Sequence, residues 1–158
     1  MLGNITWRDA VILVGLIVGT NVIGGLPAIF FETDTTWIER PWYYPPEILF
    51  PIVWTLLFTL MGIALFLVID CGVSNRDVRI AIFAFALQMA LNVAWTPVFF
   101  GLQRPDIALL IVVVLWIAIA VTIVLFDRVN RLAAALLVPY LAWVSYATIL
   151  NYGIFTAW

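Results

Sequence analysis

Gln88 and Asn92 stand four residues apart in a run that is otherwise apolar, and Trp95 and Phe99 continue the stripe at steps of three and four. At 3.6 residues per turn this spacing sets two amides, an indole and a phenyl ring on one helix face. A second stripe near the C-terminus, Tyr140, Trp143, Ala147, Leu150 and Asn151, repeats the pattern. Amides in such company have two uses. They can bond neighbouring helices while the indoles fill a core, a role worth about 0.6 kcal/mol per hydrogen bond between membrane helices. Alternatively, they are the few aimed polar groups of an apolar cavity whose indoles stack on a flat hydrophobic ligand. Ala147, small between Trp143 and Asn151, leaves room for the second use.

Other chemistries lack their residues. The chain has neither histidine nor lysine, which removes imidazole catalysis and ligation as well as lysine nucleophiles and Schiff bases. Carboxylates occur only in short charged clusters, never inside an apolar run, where a proton relay or ion pathway needs them. No metal site, catalytic residue or required cofactor is expected. Cys71 is the only cysteine, so no internal disulfide can form.

The elements that carry these stripes follow from the charges. All sixteen charged residues fall in five clusters: Arg8 and Asp9, Glu32 to Glu47, Asp70 to Arg79, Arg104 and Asp106, and Asp127 to Arg131. Between and after them run charge-free windows at 10–31, 48–69, 80–103, 107–126 and 132–155 (charge-free to 158), each long enough to cross hydrocarbon as a helix at 1.5 Å per residue. With 66% hydrophobic residues and 10% charged, the chain reads as a single all-α integral membrane domain, 1–158, folded as an antiparallel bundle of five transmembrane helices. A β-barrel would alternate polar and apolar residues over about ten positions, which these windows do not. The first run lacks an A-x-A-like cleavage site and reads as a retained helix.

Short connections near 71–77, 102–105 and 127–131 imply up-and-down neighbours. The stretch 32–47 is the one long connection, a length that marks lids and binding loops. Gly24, Gly25 and Pro27 invite a kink or an early end to the first helix. Pro45 and Pro46 fit the start of the second. Gly15 and Gly19, or Ala86, Ala90 and Ala94, are small-residue faces suited to a homodimer seam. Five arginines (Arg8, Arg76, Arg79, Arg128, Arg131) fall at one end of such a bundle against two (Arg40, Arg104) at the other. That bias predicts a cytoplasmic N-terminus and an external C-terminus in the plasma membrane of a prokaryote.

Depth separates the tryptophans. Trp7, Trp37, Trp42 and Trp158 lie near the predicted boundaries, where indole belts are expected. Trp54 and Trp95 lie seven or eight residues inside the outer boundary, about 10–12 Å deep, with Trp143 deeper still. The stripes therefore converge in the half of the bundle under loop 32–47. Trp42, Tyr43 and Tyr44 in that loop are candidates for a lid, and Phe50 follows one turn before Trp54.

The runs RPWYYPPEILFPIVWTLLFTLMG (40–62), LNVAWTPVFFG (91–101) and RLAAALLVPYLAWVSYATILNY (131–152) closely resemble the TspO/MBR family of tryptophan-rich sensory and translocator proteins. The resemblance implies a five-helix bundle, commonly dimeric, that binds porphyrins and other hydrophobic ligands beneath its first loop. Carried over by position, the family's pocket motifs fall on Phe50, Trp54, Gln88, Asn92, Trp95, Phe99, Trp143, Ala147 and Leu150, and the stripe on the fifth helix adds Asn151. It further implies a receptor or sensor for a haem-type tetrapyrrole, with the lipid bilayer as partner and no nucleic acid. The alternatives are a transporter or light-dependent degrader of porphyrins, for which Trp54 and Trp143 match the reactive positions, or a structural interaction protein. Tyr43, Ile48 and Phe58 depart from the family's usual Trp, Trp and Tyr. No basic residue follows Tyr140 or Tyr152, as a sterol-contact pattern would require.

Overall fold

A computed structural model describes residues 6–158 and holds five long helices: α1 Trp7–Phe30, α2 Leu49–Asp70, α3 Arg76–Thr96, α4 Pro105–Val129 and α5 Arg131–Ala157. All five are long and apolar enough to cross a membrane. Each runs past its charge-free window at one end at least, where flanking charged residues continue the helix, while α3 as an α-helix stops at Thr96, short of the window's end at 103.

Polar side chains set the starts. Thr6 and Asp9 form a reciprocal capping box on α1, Asn75 accepts the Asp77 N–H on α3, and Pro105 opens α4. Each satisfies or removes donors that a first turn leaves orphaned. Asn130 serves two helices: its N–H donates to the Phe126 carbonyl, closing α4, and its side chain accepts from the Ala133 N–H, opening α5. The expected 127–131 connection therefore shrinks to one residue. Between α2 and α3, Gly72 takes φ +99°, a conformation glycine adopts without strain.

Three further boundaries differ from expectation. α1 does not end at its glycines: it passes through Pro27, and the Phe31 N–H still bonds the Pro27 carbonyl. Pro45 and Pro46 precede α2 in a turn in which the Leu49 N–H bonds the Pro46 carbonyl at 3.0 Å. The proline inside the first turn is Pro51, whose missing N–H falls among the orphan donors. Pro97, lacking an N–H, widens the end of α3 into one π-helical turn, Pro97–Gly101, closed by Leu102 N–H to Pro97 O at 2.9 Å. Gln103, at φ 51°, then reverses the chain toward α4.

Around the bundle the well-packed neighbours run α1–α2–α5–α4–α3, and lighter contacts of α3 with α1 close the ring. α2 and α3 are joined by a short turn yet touch only lightly. α1 meets α2 closely at Gly62, where a Cβ would lie 2.7 Å from the Ile17 Cα. The Thr20 hydroxyl donates across that seam to the Phe58 carbonyl (2.7 Å), and the Asn21 amide to Thr59 Oγ1 (3.1 Å). Outward faces are apolar, as lipid requires: Val11, Val14, Val18 and Val22 on α1, and Leu110, Ile117, Val121 and Val124 on α4, are exposed.

Candidate functional site

A cavity of about 480 Å³ lies within the helix ring beneath loop 31–48. Nine of the ten candidate pocket residues line it: Phe50, Trp54, Asn92, Trp95, Phe99, Trp143, Ala147, Leu150 and Asn151. The helical stripes bring them together from α2, α3 and α5, and α1 contributes the facing wall with Asn21, Gly24, Gly25 and Ala28. Gly24 admits the Phe58 ring where a Cβ would collide with it.

The walls are mostly rings in defined contact. Trp95 stacks on Phe99 with centroids 4.6 Å apart, Trp54 stacks on Phe58 at 5.3 Å, and Phe50 meets Trp143 edge to face at 6.0 Å. Pairs of this geometry contribute about 0.5–1.5 kcal/mol beyond their burial.

Hydrogen bonds divide the polar candidates into structural and free groups. Trp95 Nε1 donates to Asn151 Oδ1 (3.0 Å), and Asn151 Nδ2 donates to the Pro105 carbonyl (2.9 Å), so Asn151 ties α3, α4 and α5 together. Asn92 Nδ2 donates to the Tyr140 hydroxyl (2.8 Å), which donates to Gln88 Oε1 (2.8 Å). Gln88 is 1% exposed and does not line the cavity, and its Nε2 is unpartnered. The expectation that Gln88 lines the pocket is therefore corrected: it shares the Asn92 helix face but lies one turn farther from loop one, its carbonyl bonded to the Tyr140 hydroxyl of α5.

Among the candidate residues that line the cavity, a short set of polar atoms is unspent. The indole N–H groups of Trp95 and Trp116 are taken by Asn151 and Ser145, whereas those of Trp54 and Trp143 meet no acceptor among the described residues. The Asn92 Oδ1 likewise accepts no protein hydrogen bond. Two indole donors and one amide acceptor on residues that line an apolar space are thus unspent, the make-up of a site that orients a flat ligand by stacking and a few directed bonds.

The lid candidates separate as well. Trp42 is 94% exposed, meets the Tyr43 ring edge to face at 5.5 Å and does not line the cavity. Tyr43 is an anchor: its ring packs on Gly153, and its carbonyl accepts from the Tyr146 hydroxyl at 2.6 Å. Tyr44 alone lines the cavity, over Phe50 at 5.8 Å, and its partial burial raises its phenol pKa. Phe31 against Gly101 and Trp37 against Phe99 (5.3 Å) pin the other side of the loop. Loop one is tied to α2, α3 and α5 at once.

The reading from sequence missed α1 as a wall, together with Thr55, Val112, Leu115 and the rim residues Thr33, Thr35 and Glu47. For α1 there was a signal in Gly24, Gly25 and Ala28, small residues that make space rather than fill it. For Val112 and Leu115 there was none, since they match every other aliphatic residue of α4.

Residues 10–156 match the TspO/MBR family. The chain is 44% identical over 128 residues to a tryptophan-rich protein TspO of Chlorobaculum tepidum, covering 81% of this chain and 79% of that protein. It is 40% identical over 115 residues to a tryptophan-rich sensory protein of Cereibacter sphaeroides (73% and 70% covered) and 36% identical over 116 residues to the human translocator protein (73% and 69%). A five-helix membrane bundle, an aromatic cavity under its first loop and matches of this extent agree, and the chain belongs to the TspO/MBR family.

Proposed function

We propose that the protein is a membrane receptor or sensor that takes a flat hydrophobic ligand of the porphyrin-type tetrapyrrole class into the cavity beneath loop one. The observation that carries this reading is the unspent hydrogen-bonding capacity inside a ring-lined space of about 480 Å³, within the range of small-molecule sites. Trp54 and Trp143 supply ring faces and N–H donors, Asn92 an acceptor, and Tyr44 the cover. Porphyrin titration of the purified chain, read by tryptophan quenching, tests it. Trp54→Ala and Trp143→Ala should each weaken binding about tenfold, the equivalent of about 1.4 kcal/mol; wild-type affinity in both variants rejects the site. The same samples under illumination test the alternative role of these two indoles, since bleaching faster than in protein-free micelles assigns them to chemistry.

The finer membrane placement belongs to the same proposal. The five-to-two arginine bias puts the N-terminus in the cytoplasm and loop one outside, in a prokaryotic plasma membrane. Gly15 and Gly19 have no neighbour within 4 Å of a would-be Cβ, and Ala86 and Ala90 are exposed. Both small-residue faces are therefore open to a second copy. Gly15→Leu or Ala90→Leu should halve the protein mass in detergent if its face is the seam; an unchanged mass in both excludes the two.

A further inference from the structure

We propose that Tyr44 ligates the iron of a ferric haem-type tetrapyrrole held in the cavity, so that the ferric macrocycle gains a bond that its metal-free and ferrous forms lack. This rests on the reading of the cavity as a tetrapyrrole site and adds a ligand for the metal that such a molecule can carry.

Histidine, cysteine, methionine and tyrosine are the usual axial ligands of haem iron. The chain has no histidine. Cys71 closes α2 at the end of the bundle away from loop one, and Met61 and Met89 are buried in the core off the cavity. Of the five tyrosines, Tyr44 alone lines the cavity. The rings of Phe50, Trp54, Trp95 and Trp143 can stack on a macrocycle but offer its iron no lone pair. Glu47, the only carboxylate on the wall, is already engaged: its Oε1 accepts from Arg40 Nη2 at 2.5 Å and from the Thr35 hydroxyl at 3.1 Å.

The surroundings of Tyr44 suit the role. The Tyr140 and Tyr146 hydroxyls are spent on Gln88 and on the Tyr43 carbonyl, whereas the Tyr44 hydroxyl has no hydrogen-bond partner among the described residues. Its backbone is fixed by the Tyr44 N–H on the Pro41 carbonyl at 2.9 Å, and its ring packs on Phe50 at 5.8 Å. The Arg40 guanidinium lies 5.0 Å from the ring centroid, a cation placed where it favours a phenolate over a phenol. Partial burial opposes this and keeps the free phenol protonated, so the anion forms only against a metal cation.

On binding, the Tyr44 O–H bond breaks, the proton passes to solvent and the phenolate oxygen takes the axial position of the iron from a water molecule, which leaves; the iron stays ferric. A hard anionic oxygen stabilises Fe3+ over Fe2+, so the same bond lowers the reduction potential of the bound haem.

Titration of the full chain in detergent with the ferric, ferrous and metal-free forms of one macrocycle tests this. With the ferric form, wild type should show a phenolate-to-iron charge-transfer band and, on excitation into that band, phenolate Raman modes. Tyr44→Phe keeps the ring; it should abolish both signals and weaken ferric binding about tenfold more than ferrous or metal-free binding. That tenfold change in the ferric-to-ferrous ratio raises the potential of the bound haem by about 59 mV in the variant. Glu47→Gln should keep the band. Saturable binding with no such band, or with a band that survives Tyr44→Phe, overturns the assignment and leaves the cavity reading standing. Equal losses for ferric and metal-free forms in Tyr44→Phe also overturn it, since Tyr44 is then a cover alone. A ferric-specific loss in Glu47→Gln and not in Tyr44→Phe gives the iron to Glu47 instead. No saturable binding of any form overturns the ligand and the cavity reading together.

Discussion

The two ends of the bundle are built from the same helices and end up physically different. Near the α2–α3 and α4–α5 turns, Val68, Val78, Ala81, Phe126 and Ala133 are wholly buried, and Phe85 and Phe126 stack nearly parallel at 6.0 Å. Under loop one the rings meet at mixed angles, Trp95 on Phe99 at 15° but Phe50 on Trp143 at 74° and Trp54 on Tyr140 at 70°, and a cavity remains. Alanine and branched aliphatics interdigitate to crystal-like density. Large rigid rings set at mixed angles leave wedges between them, and the enclosed cavity lies at the ring-rich end.

That contrast can be broken from either side. Phe126→Ala should be the costliest change, lowering stability by about 3 kcal/mol, seen as a large fall in the thermal midpoint in detergent. Porphyrin quenching should stay within about twofold of wild type once the protein is folded, because Phe126 lies far from the cavity walls. A large loss of affinity would mean that the two ends are not independent. Next in size, Tyr140→Phe removes the hydroxyl between Asn92 and Gln88 and leaves two buried amide groups unpaired, at about 2 kcal/mol. It should also loosen Asn92 and weaken ligand binding a few-fold, since Tyr140 sits on the boundary between the solid end and the open one. Unchanged stability would show that the amides find other partners.

The smallest effect is acid sensitivity of the cover. Thr36 depresses the Asp34 pKa below 3.8, and the Trp37 indole donates to the Asp34 carbonyl at 2.9 Å. A depressed carboxylate stabilises the folded loop above its unfolded pKa and loses that contribution as pH falls through the lower folded value. Fluorescence assigned to Trp37 should be flat from neutrality to about pH 4 and change only below it. Asp34→Asn should abolish the transition, and the solid end should show none.

Residue types and spacing made much of this legible. The stripes at 88–99 and 140–151 place their side chains on single faces whatever the surroundings, because helical periodicity is a local property. Gln88 shows where the inference stops. It shares a face with Asn92, yet Asn92 lines the cavity and Gln88, one turn away, is buried with its carbonyl taken by the Tyr140 hydroxyl of α5. Tyr43 and Tyr44 are adjacent and chemically alike, but the loop turns one onto Gly153 and the other onto Phe50. The widened turn at Pro97–Gly101 was readable as a missing N–H at Pro97, though not as a π-helical resolution of it.

By itself the sequence determined the five membrane-crossing segments, the absence of histidine and lysine chemistry, the two amide-and-indole faces and the acidity of loop 32–47, because charge placement and periodicity act within a helix or a loop. The tertiary structure decided the order α1–α2–α5–α4–α3 around the cavity, the wall that α1 adds, and which hydrogen bonds are already spent. Those depend on which neighbour stands opposite each face, and between helices of nearly uniform apolarity in lipid that choice rests on steric fit, such as the contact at Gly62, which a hydrophobic pattern does not encode.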